Sequence, residues 1–458
     1  MGEKDKRIAE LEILLKAALD EIERLKARIV QLEKHSGNSS KPPSSDIVKP
    51  PKTPDCNGKR KIGAQKGHER HLRNPFGESQ VDKTVDLILE ACPICGEALQ
   101  DTCEAPRKHQ QIELVEKPFI VTEYRTHRYW CASCQCYHES SLPKEALSAG
   151  LFGRNLIALT AYMKGRCHMS YRTIQCFYAD ALSLAISTGF LVKQVGKASE
   201  ALKAPYDNLV GRLPLAGHLH VDETGSKENG KSRWAWCFRG KGFTVFHIDP
   251  SRSSAVLERL LGIDYAGVIS SDFHSVYKRF SQVSKARLQL CWAHLIREVK
   301  FIAEQANTEV SAWGKSLLEQ IRKMFMAYHR RKDLSARNWH RKMHSCRESI
   351  LEVALNRVPP YKIAGSLSAR FKNWQGEYFR FIDEGIPPTN NLCEQSIRPV
   401  VIDRKITQGT RGVWGNSMSE RAWTVLATCA QRGDNVMAFM RSCVGAFLQG
   451  LSPPLFPV

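Results

Sequence analysis

Three acidic residues, far apart in the chain and each in a different local setting, limit what this sequence can fold into. Asp222 closes an apolar, strand-prone run, His218-Leu-His-Val-Asp222. Asp272 follows a second such run, Ala266-Gly-Val-Ile-Ser-Ser-Asp272. Glu394 lies in a stretch that opens at Thr389-Asn-Asn391 and continues Leu-Cys-Glu-Gln-Ser-Ile-Arg, a helix by its pattern. A fold that gathers these acids can hold two divalent cations about 3.5–4 Å apart. Such a pair activates the attacking oxygen and stabilises the leaving one in phosphodiester chemistry.

The elements between the acids have a defined order. After the strand at Asp222, Arg233–Arg239 and Phe243–Ile248 read as two more strands joined by Gly-Lys-Gly. Ser253–Leu261 reads as a helix, the next strand ends near Asp272, and Leu288–Trp292 reads as a fifth strand leading into a helix from His294. Three antiparallel strands, a crossover helix and further parallel strands form the order of an RNase H-like core. Residues 297–356 interrupt it with basic helices containing Arg330, Arg331, Lys332, Arg341 and Lys342, after which the core resumes to deliver Glu394. Strand alternation turns Glu223 to the opposite face from Asp222. Asp249, which also follows a strand, is the competing metal ligand.

The chain has 458 residues, enough for about two to four domains. Its formal charge of +20 calls for a polyanionic partner, and nucleic acid fits through phosphate neutralisation. No apolar run reaches the roughly 18 residues of a membrane span, and the charged N-terminus does not resemble a signal peptide. Fifteen cysteines in so long a chain indicate a reducing cytoplasm, with some thiols on metal and others buried.

Residues 1–35 carry a heptad pattern: Ile8, Leu15, Ile22 and Ile29 at a, and Leu11, Ala18, Leu25 and Leu32 at d. This favours a parallel two-stranded coiled coil and hence a homodimer; the alternative is a helix packed on its own chain. Residues 36–80 are rich in Ser, Pro, Lys and Gly, a flexible basic linker. Lys59, Arg60 and Lys61 make it either a DNA-tracking arm or a solvated tether.

In residues 81–142, Cys92-Pro-Ile-Cys95 and Cys131-Ala-Ser-Cys134 match a structural zinc ribbon holding one ion. Gln111–Val115 and Phe119–Trp130 alternate like a hairpin about Lys117-Pro118. Cys103, Cys136, His127 and His138 lie near enough to replace one ligand. Residues 150–212 read as helices, over Asn155–Lys164, after Ser170 and after Ser187. They form either a helix-turn-helix, its last helix presenting Lys193, Gln194 and Lys197 to a major groove, or a helical connector. Residues 213–410 are the catalytic core and 411–458 a C-terminal helical region. Within them, Arg398, Arg404 and Lys405 read as phosphate contacts or as a solvated face. Trp414, in the Gly-rich stretch Gly409–Gly415, reads as a packing aromatic or a loop against DNA bases.

Several stretches together resemble transposases of the insertion sequence 66 family, bacterial members of the DDE class, over nearly the whole chain. They are Asn38-Ser-Ser-Lys-Pro-Pro-Ser44, the two cysteine pairs, His220-Val-Asp-Glu-Thr-Gly225 and Ser271-Asp-Phe. Cys291-Trp-Ala-His-Leu-Ile-Arg297 and Thr389-Asn-Asn-Leu-Cys-Glu-Gln-Ser-Ile-Arg-Pro399, leading into Arg404-Lys405, complete the set. The resemblance implies a catalytic triad of Asp222, Asp272 and Glu394 on two Mg²⁺ or Mn²⁺ ions, acting on double-stranded DNA at element ends and target. It also implies strand transfer by the freed 3′-OH and small companion proteins encoded beside the enzyme. Cys291 and His294 resemble a Cys-x-x-His element of related transposases, read as support for the site or as a metal pair. Gln395 departs from the pattern, where relatives often carry Arg. The competing readings are a non-catalytic DNA-binding protein derived from a transposase and a simple nuclease or resolvase on the same core.

Overall fold

The computed structural model describes residues 117–457 continuously, together with 75–89, 91, 93–98, 108–115 and a set of positions between 7 and 29. The chain divides into two compact units, residues 51–123 and the remainder. In the smaller unit the Gln110 side chain brackets the backbone of Phe76, accepting from its N–H (2.7 Å) and donating to its carbonyl (2.9 Å). The described N-terminal positions are helical, and Leu11, Leu15, Ile22, Leu25 and Ile29 of the heptad are exposed. The basic segment containing Lys59, Arg60 and Lys61 lies outside the described residues, as does Cys92.

From Tyr124 onward the larger unit continues with a short hairpin, β1 (Arg128–Cys131) and β2 (Cys136–Glu139), with Cys131 opposite Cys136. The sequence expectation placed a hairpin between Gln111–Val115 and Phe119–Trp130 instead. Those stretches form no ladder over their described residues up to Tyr124, and Leu114, Val115, Ile120 and Val121 stay exposed. Pro118 removes a ladder donor there. The chain reverses at the second cysteine pair, where Gln135 takes φ 48°.

Five helices follow: α1 (Lys144–Ala149), α2 (Arg154–Gly165), α3 (Tyr171–Leu182), α4 (Thr188–Ala201) and α5 (Lys203–Gly211). The serine caps expected from sequence are in place. Ser170 Oγ accepts from the Thr173 N–H (3.0 Å) and Ser187 Oγ from that of Phe190 (3.2 Å), each satisfying a donor the first helical turn leaves open.

The central sheet has the order β5–β4–β3–β6–β7, built from β3 (His218–Glu228), β4 (Lys231–Gly240), β5 (Phe243–Asp249), β6 (Val268–Ser271) and β7 (Arg287–Leu290). The first three strands are antiparallel, while β6 and β7 run parallel to β3. Parallel neighbours need crossovers, supplied by α6 (Ser254–Leu261) and α7 (Ser275–Val283). One sheet face buries Leu219, Val221, Trp236 and Phe238 against Val256, Leu257, Tyr277 and Phe280 of these helices. The strand at Asp222 runs on to Glu228 because β4 pairs along its whole length, although β6 lets go at His220.

After β7 come α8 (Trp292–Ala303), α9 (Thr308–His329), α10 (Ala336–Asn356), α11 (Lys362–Phe379) and α12 (Phe381–Glu384). They share a core of their own, from Leu290 and Trp292 through Trp313 and Trp339 to Phe381 and Ile382. The helical insertion therefore extends beyond the 297–356 read from sequence, because residues 357–384 pack into the same core. α13 (Asn391–Thr407) and α14 (Val413–Arg432) cover the second sheet face, with Cys393, Ile397, Val400 and Trp423 against Ala235, Cys237, Phe246 and Ile248. α15 (Val436–Gln449) returns to α1, α2 and α4. Among the described residues no helix is long and apolar enough to cross a membrane.

Candidate active site

The parallel register of β3 and β6 aligns His220 with Ser270. Two residues further on stand Asp222, still within β3, and Asp272, the residue just past the end of β6, close enough for the Asp272 charge to act on Asp222. Asp222 Oδ1 accepts from the Glu223 N–H (2.9 Å) and Asp272 Oδ1 from that of His274 (3.0 Å). These short bonds hold each carboxylate against its own backbone.

Glu394 arrives from the second sheet face on the first turn of α13. Its placement depends on Asn390, the residue before that helix, which is 2% exposed. Asn390 Nδ2 donates to the Val221 carbonyl (2.8 Å), and its Oδ1 lies 3.1 Å from His220 Nδ1. Its backbone N–H donates to Cys291 Sγ (3.1 Å). One asparagine thus ties the glutamate's helix to the strand of Asp222 and to the start of α8. The sequence reading used Asn390 only as a helix boundary. Its capping residue type was the available signal, and the long-range bonds left no local trace.

The electrostatics of the cluster are unfavourable as they stand. Burial pushes the Asp222 carboxyl well above the usual carboxylate range, and the neighbouring charges of Glu223, Asp272 and Glu394 add to the effect. No basic side chain forms an ion pair with Asp222 or Asp272 among the described residues. Glu394 has looser company, His294 Nδ1 and Arg297 Nη2, each at 3.6 Å. Glu394 Oε1 and His294 Nδ1 are buried atoms without a hydrogen-bond partner. Burial holds the His294 imidazole below its ordinary pKa and raises the Cys291 thiol. Cys291, His294 and Glu394 bring their donor atoms within 4.8 Å of one another.

The other acids are spoken for. Glu223 Oε1 accepts from Arg252 Nε (2.7 Å) and its Oε2 from the Tyr277 hydroxyl, on the α6–α7 face as strand alternation requires. Asp249, at the outer strand, pairs with Arg259 and caps the turn at Ser251 (2.7 Å).

The basic candidates divide. Arg398 and Lys405 are exposed on α13. Arg404 reaches back to β3, donating to Thr224 Oγ1 (3.1 Å) and to the Gly225 carbonyl, so it braces the sheet. On α4, Lys193 is exposed, Gln194 is buried, and Lys197 donates to the carbonyls of Ser148 (2.9 Å) and Ala149 (2.8 Å) at the end of α1. Trp414 packs over Gly196, where a Cβ would meet its ring at 2.8 Å. Gly409, at φ 101°, lies so close to the Lys227 carbonyl that any Cβ would collide, and there the chain pairs Thr410 with Glu228.

On the β1–β2 hairpin, Cys131, Cys134 and His138 gather their donor atoms within 4.8 Å. The Cys134 N–H points to Cys131 Sγ (3.5 Å) and, with other backbone amides, holds that thiol below its ordinary value. Cys95 is an exposed thiol of the other unit.

Comparison with known proteins places this geometry. Residues 2–74 match a family of unknown function (DUF6444). Uncharacterized protein y4hP of Sinorhizobium fredii is 20% identical over 406 residues, covering 79% of this chain and 71% of the relative. The transposase IS66 family matches residues 149–418, which take in the sheet, the helical insertion and the glutamate's helix. With more than half its length matched, the chain belongs to the transposase IS66 family.

Proposed function

We propose that the chain is a DDE transposase with an RNase H-like core, whose catalytic acids are Asp222, Asp272 and Glu394. The observation that carries this is the crowding of the three carboxylates: the charges of Asp272 and Glu394 both act on Asp222, and Asn390 pins the glutamate's helix to Val221. The strand order and the helical insertion before the last acid support the fold assignment.

The donor set fits divalent cations. Asp222 is crowded by carboxylates that a cation would relieve, and Glu394 Oε1 is a buried oxygen without a partner. Asp222 would be shared between two Mg²⁺ or Mn²⁺ ions, with Asp272 and Glu394 each completing one site. Such ions lower the pKa of water and offset negative charge at a phosphodiester. The protein's own part is to hold the acids rigidly, through Asn390 on one side and the backbone amides of Glu223 and His274 on the other. Cys291 and His294 support Glu394, and Arg398 and Lys405 are free to meet flanking phosphates. The reaction is hydrolysis at an element end that frees a 3′-OH, then attack by that hydroxyl on a phosphodiester of target DNA, joining to its phosphorus and releasing the target's own 3′-oxygen as a hydroxyl.

Two further parts belong to this reading. The exposed apolar stripe of the N-terminal helix pairs with a second copy; removing residues 1–35 then yields a folded monomer by light scattering, and an unchanged mass rejects the zipper. A structural zinc sits on the β1–β2 hairpin at Cys131 and Cys134, with His138 as a third donor. Metal analysis of Cys131→Ser distinguishes it: zinc content that does not fall rejects the site.

The deciding experiment is cleavage of labelled DNA carrying the element's ends in Mg²⁺ or Mn²⁺. Cleavage leaving 3′-OH ends, lost in Glu394→Gln with DNA binding retained, is expected. Equal cleavage by the variant overturns the assignment.

A further inference from the structure

The insertion bundle carries a second feature that the carboxylate site does not use. An open groove of about 780 Å³ lies between the C-terminal part of α9 and the N-terminal part of α10. Four cations line it, Lys323, Arg330, Arg341 and Lys342, and no acid does. Its floor is apolar, with Met326 65% and Leu334 40% exposed. Two of the cations have acidic neighbours, Lys323–Glu319 (2.9 Å) and Arg330–Asp333 (3.1 Å). Both pairs are more than half exposed, where such contacts are worth little and yield readily to another anion.

The groove's position gives it meaning. α8 begins at Trp292, next to Cys291, and its backbone N–H donates to Pro388 (3.0 Å) just ahead of the glutamate's helix. Trp292 meets Phe325 of α9 at 6.1 Å between ring centroids. Phe325 lies between Lys323 and Met326 in the chain, so only the thickness of α9 separates this aromatic contact from the groove wall. The cations therefore stand at the end of the insertion that adjoins the acids, not at its far end.

Resting on the DNA-joining reading above, we propose that this groove binds the sugar–phosphate backbone of a DNA strand passing the catalytic centre. A row of cations beside an apolar floor complements alternating phosphate and deoxyribose, and neutralising phosphates releases counterions whatever the base sequence. The groove is a positioning surface for DNA and holds no reacting group.

The test uses the full chain and a labelled duplex of arbitrary sequence. Arg341→Glu combined with Lys342→Glu is compared with a charge-matched control, Lys300→Glu with Lys315→Glu, both exposed and absent from the groove. The groove variant is expected to lose about tenfold or more in affinity, and its salt slope to fall by about two. The control should lose far less. Equal losses in both, or none in the groove variant, overturn the proposal. If the reversal variant is misfolded by circular dichroism, Arg341→Ala with Lys342→Ala gives the same reading with a smaller loss. Groove-dependent binding in a wild type that never cleaves supports the groove and rejects the transposase chemistry. Normal cleavage with an indifferent groove variant rejects the groove alone.

Discussion

Asp222 and Glu223 are neighbours on β3 whose side chains enter opposite faces of the sheet, and the two faces treat a carboxylate differently. On the α6–α7 face Glu223 meets Arg252 and the Tyr277 hydroxyl, and its side chain is 2% exposed. On the α13 face Asp222 meets Asp272 and Glu394, with no ion pair of its own among the described residues. An acid that serves the fold arrives with its counter-charge built in. On the proposed chemistry, Asp222 is left for a cation from outside the chain to neutralise, at a cost to the stability of the unliganded protein.

The contrast can be broken at several points. The largest effect is expected at the uncompensated face: Asp222→Asn should lower cleavage by about a thousandfold or more, since several kcal/mol of charge stabilisation is at stake. Binding of DNA should survive, so loss of both in a gel-shift assay would make Asp222 structural. Next is Asn390→Ala, expected to slow cleavage by roughly 10–100-fold by loosening the glutamate's helix. Conservative Asn390→Asp should not restore the rate, because it cannot donate to the Val221 carbonyl; full activity in either variant removes Asn390 from the design.

On the compensated face, Glu223→Ala should lower stability by about 2 kcal/mol. A fully buried pair would cost more, but the Arg252 side chain is 35% exposed and stays partly solvated. Denaturant melts read this directly, and a stability unchanged at neutral pH would equate the two faces. The smallest effect has the opposite sign: in chelator, Asp222→Asn should raise stability by about 1 kcal/mol. The Asp222 carboxyl is raised, so its penalty is absent below the unfolded-state pKa, near 4, and grows as pH rises toward the folded-state value. The gain should therefore vanish in acid. Divalent cations should raise the melting temperature of the wild type and leave the variant nearly unmoved.

Local pattern carried much of this architecture. Apolar runs marked the strands, and Ser170 and Ser187 marked helix starts, because strand alternation and capping are properties of adjacent residues. What escaped the sequence depends on contacts across the chain. The strand at Asp222 continues because β4 pairs with it as far as Glu228. The insertion's true extent emerges only where Phe371, Tyr378 and Phe379 surround Trp292. Lys193 and Lys197 look equivalent in the sequence, yet one is exposed and the other is spent on the carbonyls at the end of α1. Asp222, Asp272 and Glu394 could be singled out because each stands at the edge of an apolar run or near a helix start in the sequence. Asn390 could not be assigned its bonds, since its partners lie in other elements.

The insertion also has a consequence for how the protein is made. All of α8 to α12 must leave the ribosome before Glu394 does, and this bundle has a core of its own that can condense first. A nascent or prematurely ended chain therefore carries both aspartates while still lacking the third acid. On the proposed chemistry, DNA near the site of synthesis meets a phosphodiester-cutting centre only when the polypeptide is nearly finished.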